Sequence, residues 1–193
     1  GQGSNVRATH FGSSTNVFAG QLKHRVENGV GYEAIFNGDH TTFCTDFYQT
    51  VTSSYRPYEV VELHLVPSTF PMGSEKSDAI AAMYAASGSA ALDASSVNSL
   101  AAAFQLAVWE IVTDFDGTIG SLDMSSGDFR ATNTDGSALS ATIAGHLASL
   151  FAAAVAPGEG GPSLVGLRSG SNQDQILMGY AVPVPGSLAL AGN

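Results

Sequence analysis

The sequence predicts an α+β fold: a β-sandwich or β-barrel-like sheet into which a block of about three helices is inserted. Three observations carry this. Apolar residues alternate with period two over 5–66 and again over 163–182. Between these regions, over 77–157, alanine-rich stretches repeat at helical spacing and begin with capping residues. A chain of 193 residues is long enough for one sizeable core, so 1–182 is expected to form a single unit, followed by a distinct segment over 183–193.

Taken in order, NVFAGQLKHRV places Phe18, Leu22 and Val26 on one face of a strand. VGYEAIFNG places Val30, Tyr32, Ala34 and Phe36 together on the next, and Glu27, Asn28 and Gly29 between them read as a hairpin turn. FCTDFYQTV is a third strand, and YEVVELHLV a fourth with Val61, Leu63 and Leu65 facing in. SDAIAAMYAAS follows as a short helix capped by Ser77 or Asp78. DASSVNSLAAAFQLAVWEIVTD is a longer one opened by Asp93 or a nearby serine, and SALSATIAGHLASLFAAAVAP a third that ends before Pro157. The polar stretch 115–136 between the last two reads as a solvated loop. Its Asp114, Asp116 and Asp123 faintly resemble a calcium loop, without the spacing or the closing glutamate of an EF-hand. After the turn PGEGGP, the stretches SLVGLR and QILMGYAVPV return to β patterning.

Seventeen acids against seven bases give a net charge of -10, which opposes binding to nucleic acid or an anionic membrane. One cysteine excludes an internal disulfide framework. No Cys or His pair has zinc-site spacing, so neither a metal nor a cofactor is expected. No signal peptide opens the sequence, as expected of a cytosolic or an already processed chain.

Two residues invite a chemical reading. At about 100° per residue, Gln105 sits at the centre of an apolar arc made by Ala101, Val108, Trp109 and Val112, with Glu110 pointing almost the opposite way. Burying a primary amide without partners costs roughly 1–3 kcal/mol, so Gln105 is either a hydrogen-bonded core residue or a reactive one. On the third strand, alternation sends Phe43, Phe47 and Val51 to one face and Cys44, Asp46 and Tyr48 to the other. A lone cysteine is usually an inert small hydrophobe, yet this one is placed beside polar neighbours.

FCTDFYQTV, followed about 60 residues later by AAAFQLAVWEIVTD, resembles the paired motifs of bacterial thioester domains. In that family an aromatic-Cys strand motif precedes a helical Gln-x-x-hydrophobic-Trp motif, and the cysteine sulfur is joined to the glutamine side-chain carbonyl. Phe43 and Cys44 match the first motif; Gln105, Val108 and Trp109 match the second. Phe104 stands where many adhesin members carry threonine. The likeness spans roughly residues 15–180 in element order, and only the two short motifs are specific.

The resemblance implies a single-turnover covalent binder of amine-bearing partner surfaces, not an enzyme. Burial suits such a bond, because excluding water protects a hydrolysable acyl group. Asp46, Tyr48 or Glu110 are the groups that could take a proton from the attacking amine, Glu110 being the least favoured by its helical phase. With only Lys23 and Lys76 in the chain, few internal amines compete.

The final stretch, VPVPGSLALAGN, resembles the start of a PEP-CTERM sorting signal, with Val184 where that signal carries glutamate. It stops short of a full membrane span. This implies an exported protein acting outside the cell or at its surface.

A rival from another class is a structural subunit of an extracellular fibre or matrix, suggested by low charge and many small residues. Residues 5–11 and 175–184 would then offer unpaired strands for exchange, or pair with one another within one subunit. A cysteine hydrolase, the third alternative, needs a histidine base, and no Cys/His signature is present.

Overall fold

A computed structural model describes residues 1–47, 49–51, 54–87, 92, 98–156 and 164–177. Its centre is a helix buried on every side: all residues of 101–111 are shielded from solvent, Gln105 and Glu110 included. Four alanines among them, Ala101, Ala102, Ala103 and Ala107, let neighbouring elements approach closely on several faces.

The described helices are α1 (Gly73–Ala86), α2 (Asn98–Asp114) and α3 (Ala141–Ala154). The strands are β1 (Gly3–His10), β2 (Ser13–Gly20), β3 (Leu22–Val26), β4 (Gly38–Cys44), β5 (Glu59–Glu62), β6 (Phe129–Asn133), β7 (Val165–Arg168) and β8 (Gln175–Leu177). They form two open antiparallel sheets, of three strands in the order β2-β1-β6 and of five in the order β3-β4-β8-β7-β5. The fold is therefore α+β, and among the described residues neither sheet closes into a barrel. The buried α2 packs against β1, β2 and β6 of one sheet, β4 of the other, and both remaining helices.

The five-stranded sheet is covered on both faces. Phe43 and Ile176 join the main core with α2, while Val165, Leu167 and Leu177 pack with Phe36 and Tyr58 in a smaller cluster. Among the described residues no helix is long and apolar enough to cross a membrane.

Several sequence expectations are corrected. The stretch read as one strand over 16–26 is two, β2 and β3, which leave Gly20–Gln21 for different sheets. Phe18 lies on the solvent side of its sheet, whereas Leu22 packs on the core. The hairpin partner of β3 is β4, not 30–36, which forms a 3₁₀ helix over Gly31–Phe36. Asn28, ahead of that helix, and Gly31, its first residue, adopt left-handed φ values of 64° and 59°. Asn37 clamps the turn by bonding both the N–H and the C=O of Gly29. Of Val30, Ala34 and Phe36 only Phe36 is buried in the core, and Val30 is 76% exposed.

The expected fourth strand is only β5; Leu63–Leu65 is a 3₁₀ turn. Helix α1 starts one turn earlier than expected, and Ser77 is an interior residue whose hydroxyl donates to the Ser74 carbonyl oxygen at 2.8 Å. The expected loop 115–136 contains β6, so a strand interrupts the helical block. Residues 5–11 do not offer an open edge, since β1 is the central strand, paired with β2 and β6. Nor does β8 pair with β1: it lies between β4 and β7. Asp93, Tyr48 and the segment 178–193 lie outside the described residues.

Candidate functional site

β4 and α2 are held in register by an aromatic contact one residue before each residue of interest. Phe43 and Phe104 pack at a tilt with ring centroids 4.8 Å apart, and Phe104 also meets Tyr84 at 6.4 Å. Phe104 thus locks the helix to the strand. Four residues beyond Gln105, Trp109 packs edge-on against Phe47 at 5.1 Å and against Phe129 at 6.0 Å. That contact anchors the segment following Cys44. The Trp109 indole N–H is buried with no acceptor among the described residues.

With these contacts in place, the Gln105 carboxamide meets the backbone of Cys44. The Cys44 N–H donates to Gln105 Oε1 at 2.9 Å, and Gln105 Nε2 donates to the Cys44 carbonyl oxygen at 2.8 Å. The ladder between β3 and β4 stops at Leu22↔Thr42. At Cys44 the glutamine side chain therefore supplies the bonds that the next strand residue would have made. Gln105 is 1% exposed and Cys44 5%, so the pairing is dry.

The Cys44 thiol faces along the sheet to β8. Cys44 and Gln175 are directly paired across the strands, with Gln175 Nε2 donating to Sγ at 3.5 Å and its Oε1 lying 3.7 Å from the same sulfur. Gln175 is oriented by Thr42 Oγ1, which donates to its Oε1 at 3.1 Å, and by its own Nε2 donating to the Gln173 carbonyl at 3.0 Å. Burial pushes the thiol up to about 12; the Asp46 charge adds to the shift, and the Gln175 hydrogen bond partly offsets it. At neutral pH the sulfur keeps its proton.

Asp46 is near but engaged. Its carboxylate accepts from the Gln49 N–H at 3.1 Å and the Asp174 N–H at 2.8 Å, tying the segment after β4 to the β7–β8 turn. Asp174 in turn accepts from the backbone N–H groups of Ser68 and Ser169.

Glu110 is not part of this arrangement. Its helical phase does direct it away from Gln105, but toward a covering segment rather than solvent: Oε1 accepts from the Asp123 N–H at 2.7 Å. Its Oε2 is buried with no partner among the described residues. Burial, with the nearby charges of Asp114 and Asp123, pushes this carboxyl up to about 8. Asp116 and Asp123 are occupied locally, accepting from Thr118 and from Ser125 and Ser126.

Of the sequence-predicted residues, the fold brings together Cys44, Gln105 and, at one remove, Asp46 and Trp109. Gln175 escaped sequence reasoning. It was visible only as a polar residue heading an apolar strand, and its neighbour across the sheet depends on a β4–β8 pairing with a separation of 131 residues. A groove of about 840 Å³ is lined by β3, Tyr55, Tyr58 and Gln175, the last one side chain from the sulfur.

No family model, curated protein or solved structure matches this chain.

Proposed function

We propose that Cys44 and Gln105 form an internal thioester, and that an amine on a partner surface opens it to become amide-linked to Gln105. The observation that carries this reading is the reciprocal hydrogen bonding of the Gln105 carboxamide with the Cys44 backbone. It holds the electrophilic carbon beside the cysteine, with an N–H already aimed at the oxygen on which negative charge develops. A preorganised donor of this kind stabilises a tetrahedral intermediate.

In the forming step, Sγ bonds to the Gln105 carbonyl carbon, the C–N bond breaks, and the thiol proton leaves with the side-chain nitrogen as ammonia. In the partner step, the amine nitrogen bonds to the same carbon, the C–S bond breaks, and the amine proton passes to sulfur. Gln175, donating to Sγ, stabilises the sulfur as it departs. The groove lined by Gln175 ends one side chain from the sulfur and is the approach this reading assigns to the amine. With the terminal likeness to a sorting signal, the reading is of a surface or matrix protein that attaches covalently outside the cell.

Intact-mass measurement tests this. The untreated chain should weigh one ammonia less than its sequence and resist alkylation at Cys44. Methylamine should then add at Gln105 and release the thiol, and Cys44→Ala should abolish the addition. A full sequence mass with a freely titrating thiol refutes the proposal.

A further inference from the structure

The two sheets expose four edge strands, and three of them are guarded. β3 carries Lys23 and Arg25, and β5 carries Glu59 and Glu62. β6 carries Arg130, and its outer backbone is met by neighbouring chain: Ala131 N donates to Met124 O and Asn133 N to Ser137 O. Charge and coverage are the usual means by which an edge is kept from pairing with another chain. Among the described residues β2, SSTNVFAG, has neither: its eight residues carry no charge and no proline, and its register with β1 runs without a bulge from Gly3↔Gly20 to His10↔Ser13.

The turn fixes which backbone groups of β2 are open. Phe11 and Gly12, with φ of 46° and 80°, form a two-residue hairpin connection closing on the pair His10↔Ser13. Ser13, Thr15, Val17 and Ala19 therefore bond to β1, while the N–H and C=O groups of Ser14, Asn16 and Phe18 point to the open side. Ser14, Asn16 and Phe18 are also exposed as side chains, Phe18 to 43%.

We infer that β2 is a self-association edge, pairing antiparallel with β2 of a second copy about a two-fold axis through Asn16. In that register Ser14 opposes Phe18 and Asn16 opposes its counterpart, so every open N–H and C=O of the three residues finds a partner. The other face sets Thr15 against Val17, a favourable β-branched pair. A chain of net charge -10 repels its own copies over most of its surface, and β2 brings no charge to the contact. The nearest outer-face charge is Arg7, which pairs with Asn16 on β1. The two copies of Arg7 would stand about 14 Å apart at the ~4.8 Å strand spacing, beyond the ~8 Å screening length at physiological salt. This surface is independent of the thioester.

Sedimentation velocity on the full chain over a concentration series, at low and high salt, tests the inference. The dimer fraction should rise with concentration and also with salt, because salt screens the repulsion between two acidic copies, the reverse of a charge-paired interface. Hydrogen exchange at Ser14, Asn16 and Phe18 should slow as the dimer forms. Asn16→Lys places like charges face to face on the axis, and Asn16→Pro removes an N–H on the open side while fixing φ at that position. Each should weaken association at least tenfold, and Asn16→Lys should do so without lowering the melting temperature of the monomer. A chain that stays monomeric throughout overturns the inference. So does a dimer that survives both variants, or one whose formation leaves those three amides exchanging as before.

Discussion

Replacing Cys44 by alanine distinguishes a crosslinked site from one that is only hydrogen-bonded, because the two cases differ by several times the worth of the side chain. The bonds from Cys44 to Gln105 use backbone atoms and survive the substitution. Without a crosslink, the change removes only the buried thiol, at a cost of about 1 kcal/mol. A thioester between residues 61 apart adds a closed loop, whose chain entropy is worth about 4 kcal/mol. The crosslinked protein should therefore lose about 5 kcal/mol in Cys44→Ala. For a chain of this size that corresponds to a fall of roughly 10–20 °C in Tm, against roughly 2–4 °C for an uncrosslinked site. Urea unfolding of wild type, Cys44→Ala and methylamine-treated wild type measures the difference. The treated protein keeps its cysteine and should still lose most of the crosslink's contribution. A variant within about 1 kcal/mol of wild type, together with no effect of methylamine, refutes the crosslink.

Two further outcomes follow from the charge states. In a Gln105→Leu chain, where no thioester can form, thiolate absorbance should titrate far above the ordinary cysteine range, toward about 12. Gln175→Leu should move it higher still by removing the donor to Sγ, and a midpoint near the ordinary thiol value would contradict the dry site. Glu110, held up to about 8, is neutral in the folded chain at pH values where the unfolded chain has released its proton. Stability should accordingly fall as pH rises from about 4 to about 8 and level off above that. Glu110→Gln keeps an acceptor for the Asp123 N–H and should flatten this dependence, with a gain on the order of 3–5 kcal/mol at the alkaline end. Parallel stability–pH curves for the two proteins would show that the carboxyl is not shifted.

The helical patterns were legible because their signals are local. The long helix around Gln105 and the third helix could be read from spacing and flanking residues, and the Ser140 hydroxyl does cap the latter by accepting from Ile143 N–H at 3.3 Å. Strands were harder. Period-two alternation says that a residue faces a core but not which sheet supplies it, so NVFAGQLKHRV looked continuous although it changes sheets at Gly20–Gln21. VGYEAIF alternates as a strand would, yet the left-handed Asn28 before it, the left-handed Gly31 within it and the Asn37 clamp commit it to a 3₁₀ turn. β6 is five residues in polar surroundings, and only pairing with β1 makes it a strand.

Amphipathic phase likewise predicted directions without surroundings. Gln105 faces inward as its phase requires, but so does every neighbour on its helix, and Glu110 meets the segment around Asp123 instead of water. By itself the sequence determined the α+β class and the acidic charge and singled out Cys44 and Gln105, since composition and short motifs are properties of the chain alone. Only the tertiary structure decided that Gln105 takes the place of a missing strand at Cys44, that Gln175 holds the sulfur, and that β2 is the unguarded edge. Each depends on strand pairing between residues far apart in the chain, where registers are selected by the whole core at once and not by any local stretch.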